Sequence, residues 1–208
     1  MSTTSAAVTM TNRAQASKTR RLVQIAVLGA IAAVLMLFEF PLPVAPPFYK
    51  FDFSEVPIMI GGFAMGPIAG VLIELIKVVI NTLLNGTSTM FVGELGNLII
   101  GCAMVVPAAL IYKKLHSRKG ALVSMIIGTL VMSTIGVIVN AFLLLPTYAA
   151  AFNWPMEAII SLGTAIHPSI NSVMSFVLLT VLPFNLIKGA IICAITFFIY
   201  KYLRKIIK

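Results

Sequence analysis

Lys188 and Asn185 carry the most pointed chemistry in this sequence. Lys188 stands in a long apolar run that contains no acidic residue, and Asn185 precedes it by three positions. On a helix that spacing puts both side chains on one side. An ammonium donates three hydrogen bonds and a carboxamide both donates and accepts. Together they form a hydrogen-bonding edge for a polar solute inside a mostly apolar cavity. Asn81, Asn97 and Asn140, in three other apolar runs, extend the edge if those runs are neighbours. Taken singly, each fits interhelical packing as well. Lys188 has a second reading, as helix–helix glue with a carboxylate from elsewhere such as Glu39.

The other ionisable residues in apolar runs are Glu74, Lys77 and Glu94. Burying an ionised group at a bilayer centre costs at least ~2.5–3.5 kcal/mol, so each needs a partner or water. Glu74 and Lys77 are i, i+3 neighbours and can neutralise each other on one helix face. Glu94 lies near the start of its run, where it can reach water. Neither a phosphate-binding G-x-x-x-x-G-K-[ST] loop, a zinc-binding H-E-x-x-H nor a G-x-S-x-G elbow is present. Cys102 and Cys193 read as small core residues, and His116 and His167 have no second ligand candidate nearby. No metal site, cofactor site or catalytic constellation is visible. A membrane-embedded enzyme would need one, and a stand-alone ion-coupled carrier would have to use Glu74 or Glu94.

The elements that must position these residues are membrane helices. The 208-residue chain is 60% hydrophobic and 10% charged, with a mean hydropathy of +1.05, whereas soluble domains carry roughly 25% charged residues. At ~20 residues per crossing, the reading is an all-α integral membrane protein, a six-helix bundle. Its helices run from about 22 to 38, 54 to 66, 67 to 86, 90 to 113, 120 to 146 and 173 to 202. The second is short for a crossing, and Pro183 is expected to kink the last. Residues 1–18 read as a disordered cytoplasmic tail and 19–208 as the membrane domain. Of 15 Lys and Arg residues, 12 fall at 13–21, 113–119 and 201–208. Six crossings put all three clusters on one side, which by the positive-inside rule gives N-in and C-in. The net charge of +9 is therefore a topology signal, not a nucleic-acid footprint. In the first helix, Ala26/Ala30 and Gly29/Ala33 are small-x-x-x-small pairs that permit close helix approach.

Residues 38–67, FEFPLPVAPPFYKFDFSEVPIMIGGFAMGP, interrupt this pattern. Pro41, Pro43, Pro46 and Pro47 exclude a helix, and Glu39, Asp52 and Glu55 are three of the chain's six carboxylates. This stretch resembles the riboflavin-specific substrate-binding (S) component of energy-coupling factor (ECF) vitamin transporters. The resemblance is most specific over FYKFDFSEVP and GGFAMGP, and continues through LLNGTSTMFVGELGNLIIGC, Asn140 and PFNLIKGA.

The resemblance implies a six-helix bundle holding riboflavin in an outward-facing cavity, capped by an extracellular Pro-rich gating loop between helices one and two. It implies Glu39 and the loop after it, Asn140, Asn185 and Lys188 as vitamin contacts; Asn81, Asn97 and Tyr148 are added to them for their polarity and expected depth. Leu42, Val44 and aromatic or Met side chains are expected to cover the flat ring system. It also implies partners in a bacterial cell membrane: a membrane coupling (T) subunit, docked on the surface of Ala26, Gly29, Ala30 and Ala33, and two ATP-binding-cassette ATPases. The ATP would be theirs, and the loaded bundle would reorient to release vitamin inside. Thiamine or biotin is the nearest alternative cargo. Riboflavin, uncharged and with a carbonyl-bearing ring edge and a polyhydroxyl tail, suits Lys188 and the asparagines. An anionic cargo would call for an Arg fork, and the membrane segments contain no arginine.

Overall fold

In the computed structural model, residues 17–87 and 89–200 are described throughout, with the backbone alone for 2–16 and 201–207. The tail expected over 1–18 and the basic cluster at 201–208 thus fall almost wholly outside the described side chains. The elements in order are α1 (Ser2–Met36), a hairpin of β1 (Phe40–Pro41) and β2 (Lys50–Phe51), α2 (Glu55–Met65), α3 (Pro67–Asn85), α4 (Val92–Leu115), α5 (Arg118–Val139), α6 (Leu145–Ala151), α7 (Met156–Thr164), α8 (Val173–Phe176) and α9 (Leu182–Ile207). Apart from the two-residue strands the fold is all-α.

Five stretches among the described residues are long and apolar enough to cross a membrane: Ser17–Met36, Pro67–Asn85, Val92–Leu115, Arg118–Ala151 and Val173–Tyr200. Large apolar side chains such as Leu22, Val27, Ile68, Leu83, Leu130 and Phe198 stay exposed on their outer faces, as lipid-facing residues do. The chain is a multi-pass membrane protein.

The sixth expected helix, α2, has eleven residues, about 16 Å of rise. Its C-terminal end is tied to the basic end of α1, where Arg21 Nη2 donates to the Met65 carbonyl at 2.8 Å. Its first residue, Glu55, reaches Lys77 in the middle of α3. Helix α2 therefore covers only half the depth of α3. The other half is filled by the hairpin loop, which buries Phe51 and Ala45 in the same core as Ile58, Met59, Ile73 and Met104.

The fifth helix does not stop near Pro146. A π-helical segment, Asn140–Leu144, joins α5 to α6, and the Leu145 N–H bonds the Asn140 carbonyl. A second π segment, Val177–Val181, leads into α9, with the Leu182 N–H on the Val177 carbonyl. Each segment ends two residues before a proline, Pro146 or Pro183. The wider turn accommodates a residue that has no N–H and crowds the carbonyl four residues back. The expected kink at Pro183 takes this form. The connection expected over 147–172 holds the end of α6 and the whole of α7.

Candidate functional site

The hairpin loop, the π segment Asn140–Leu144 and helices α3, α4 and α9 bound one cavity of about 420 Å³ at the end of the bundle opposite Arg20, Arg21 and the 113–119 cluster. Seven of the nine expected contact residues line it: Glu39, Asn81, Asn97, Asn140, Tyr148, Asn185 and Lys188. Leu42 and Val44 do not. They pack against the main core beneath the loop, and the expected aromatic wall is formed by Phe48, Tyr49, Tyr148 and Phe184.

Tyr49 anchors the loop to the cavity wall. Its ring meets Phe184 and Phe176 at 5.8 and 6.4 Å between centroids, and its hydroxyl donates to Asn140 Oδ1 at 2.6 Å. Burial pushes the Tyr49 phenol well above its ordinary value, so it stays a donor. Asn140 Nδ2 donates back to the Gly136 carbonyl at 2.7 Å, which fixes the amide's orientation. Gly136 is small for a reason: a Cβ there would stand 2.4 Å from Asn185 Nδ2.

Below the cavity floor lies a buried charge cluster. Lys188 Nζ pairs with Asp52 Oδ2 at 3.2 Å, so the partner supplied by the loop is Asp52 and not Glu39. Glu39 instead bridges Lys50 at 2.5 Å near the surface. Asp52 also accepts from the Ser54 N–H at 2.7 Å. Burial alone would raise its carboxyl, but Lys188, Lys77 and Ser54 outweigh that and hold it at about 2. Lys77, fully buried, meets Glu74 Oε1 at 2.6 Å and Glu55 Oε1 at 3.1 Å, and donates to Asn97 Oδ1 at 2.8 Å. The expected Glu74–Lys77 pair is present. However, the contact lies off hydrogen-bond alignment, and neither Glu74 oxygen has a donor. Three carboxylates thus face two ammoniums.

At the mouth, Thr89 Oγ1 donates to Glu94 Oε2 at 2.6 Å, and both residues line the cavity with Asn85 and Gly86. Tyr49, Glu55 and Thr89 also line the cavity, and Asp52 pairs with Lys188 beneath it. The sequence reading covered Tyr49 and Asp52 only as part of the loop after Glu39, and named neither Glu55 nor Thr89 as a contact.

The expected docking set divides. Ala26 and Ala30 are exposed on the outer face of α1. Gly29 and Ala33 are buried, and a Cβ on Gly29 would meet Ile76 Cγ2 at 2.5 Å. Their small size is used within the chain, where α1 approaches α3.

Residues 20–200 match a family model described as the substrate-specific component of ECF transporters. The riboflavin transporter FmnP of Bacillus subtilis (strain 168) is 37% identical over 188 residues, covering 90% of this chain and 93% of that protein. The riboflavin transporter RibU of Staphylococcus aureus (strain TCH60) is 33% identical over 189 residues, covering 91% and 93%. A solved structure described as the S component of a bacterial ECF transporter superimposes with a TM-score of 0.73 at 33% identity. It covers 92% of this chain and 99% of its own.

Proposed function

This chain belongs to the family of ECF transporter substrate-specific components, and from that premise we propose that it is the riboflavin-capturing subunit of an ATP-driven importer. The observation that carries the proposal is the cavity's two-sided lining. Asn81, Asn97, Asn140, Asn185 and Lys188 supply donors and acceptors, and Phe48, Tyr49, Tyr148 and Phe184 supply an aromatic wall. A flat heteroaromatic ring with a carbonyl- and N–H-bearing edge stacks on such a wall while its edge and polyhydroxyl tail bond the amides. The volume lies in the range of small-molecule sites, about 300–1,000 Å³. The relatives named as riboflavin transporters support the same cargo.

The bundle sits in the bacterial cell membrane with both termini inside and the cavity opening outside. The half-length α2 completes a sixth crossing together with the hairpin loop, which acts as the gate. The chain holds riboflavin unaided through Glu39 and the loop, the four asparagines, Tyr148 and Lys188. It moves riboflavin only when docked, through the exposed Ala26/Ala30 face of α1, on a membrane coupling subunit served by two ATPases. The loaded bundle then reorients and releases its cargo inside.

The test is uptake into proteoliposomes. Vesicles holding this chain alone bind riboflavin and do not concentrate it, whereas vesicles with coupling subunit and ATPases concentrate it with ATP. Accumulation by the chain alone, collapsing with an ion gradient, would make it a secondary carrier and refute the subunit reading.

A further inference from the structure

A smaller pocket of about 210 Å³ adjoins the main cavity and shares three walls with it, Phe48, Thr89 and Tyr148; Phe152, Trp154 and Ile159 close it further. The rings form a ladder. Trp154, the chain's single tryptophan and half-exposed, stands 5.7 Å from Phe152. Phe152 stacks on Tyr148 at 6.1 Å and 22°. Tyr148 lies 6.1 Å from Phe48, and Phe48 lies 4.6 Å from Tyr49 on the cavity wall. Every step is within the 4.5–7 Å range of interacting rings.

We propose that this pocket is an outer vestibule, a first capture site that takes the planar ring end of the solute before it passes between Phe48 and Tyr148 into the cavity. The inference rests on the cargo reading above. Three features of the pocket select the occupant. Its volume is below the roughly 300 Å³ at which whole small-molecule sites begin, so it takes part of a molecule. Its one hydroxyl outside the aromatic rings, Thr89 Oγ1, is already donated to Glu94, so a polyol tail finds no free partner there. Its walls are aromatic faces and edges, which hold a flat π-system with little demand on register. The shared walls make the vestibule continuous with the deeper site, so the ring moves from one aromatic surface to the next without being fully rehydrated.

The test is stopped-flow mixing of riboflavin with the full chain in nanodiscs, followed by quenching of flavin emission. With a vestibule that fills before a slower inward step, the observed rate levels off as riboflavin is raised. Trp154→Ala and Phe152→Ala each raise the half-saturating concentration by about 2- to 10-fold, the range of one lost ring–ring contact. Trp154→Phe, which keeps a ring, stays within about twofold of the parent on the same scale. Equilibrium affinity is unchanged in all three, which also verifies that they fold. A half-saturating concentration that neither alanine variant moves, with equilibrium binding intact, overturns the vestibule and leaves the pocket to a lipid chain. A parent chain that binds no riboflavin at equilibrium overturns the cargo reading first, and the vestibule with it.

Discussion

The buried cluster beneath the cavity predicts an unequal response to removing its charges. Asp52, Glu55 and Glu74 face Lys77 and Lys188, so the group is short of one positive charge. Lys77→Met keeps the length of the side chain and removes its charge. It leaves Glu55 and Glu74, both almost without solvent contact, without their ammonium, and Asn97 Oδ1 without its donor. Breaking one side of a buried pair typically costs about 3–5 kcal/mol. For a chain of this length that corresponds to a fall of about 6–20 °C in Tm. Glu74→Gln is the contrasting change. It removes the excess charge at nearly constant shape, from a side chain whose oxygens have no hydrogen-bond donor. The variant should fall within about 1 kcal/mol of the parent, or be more stable. Thermal unfolding of the ligand-free chain in detergent, read by tryptophan emission, compares the two directly. Equal losses from Lys77→Met and Glu74→Gln would refute the charge count, and so would a Lys77→Met protein as stable as its parent.

The two small-residue pairs of α1 should separate in the same assay. Gly29→Leu collides with Ile76 and should cost about 1–3 kcal/mol as overpacking. Ala30→Leu, on the exposed face, should change stability by no more than about 0.5 kcal/mol. It should leave riboflavin binding intact and lower uptake in the assembled transporter. Tyr49→Phe removes the donor to Asn140 Oδ1 and should weaken riboflavin binding by about 2- to 10-fold, the worth of one ordinary hydrogen bond. Gly136→Ala places a methyl against Asn185 Nδ2. Titration should show weaker binding by a chain that still folds, because the amide is pushed off its position in the cavity.

The sequence was legible wherever the physics is local. Apolar length marked six helices, of which five are long enough to cross and the second, α2, is not, and the three-residue spacing of Asn185 and Lys188 placed both on one cavity wall. The i, i+3 spacing of Glu74 and Lys77 marked their contact. What was missed is non-local. Asp52 and Lys188 are separated by 136 positions, and nothing in the run around either names the other; Glu39 was as eligible until the hairpin aimed it at Lys50. Small residues four apart announce two stripes on α1 but not which one turns inward, since that depends on Ile76 of another helix. Leu42 and Val44 belong to a Pro-rich segment with no period, so their facing could not be read. Pro146 misled for a clearer reason. Proline ends an α-helix, but the π turn at Asn140–Leu144 lets the chain continue, and π turns leave no simple pattern in sequence.

The most direct measurement is a riboflavin titration of the purified chain, without partners, followed by quenching of flavin fluorescence and repeated with Lys188→Ala. The account predicts stoichiometric quenching by the parent chain. It predicts binding weaker by about 10-fold or more in the variant, as expected for losing a charged donor worth about 1.5–3 kcal/mol. A correctly folded parent chain that leaves riboflavin emission unchanged would contradict the assignment of the cargo. A Lys188→Ala variant that binds as tightly as the parent would contradict the placement of the cargo in this cavity.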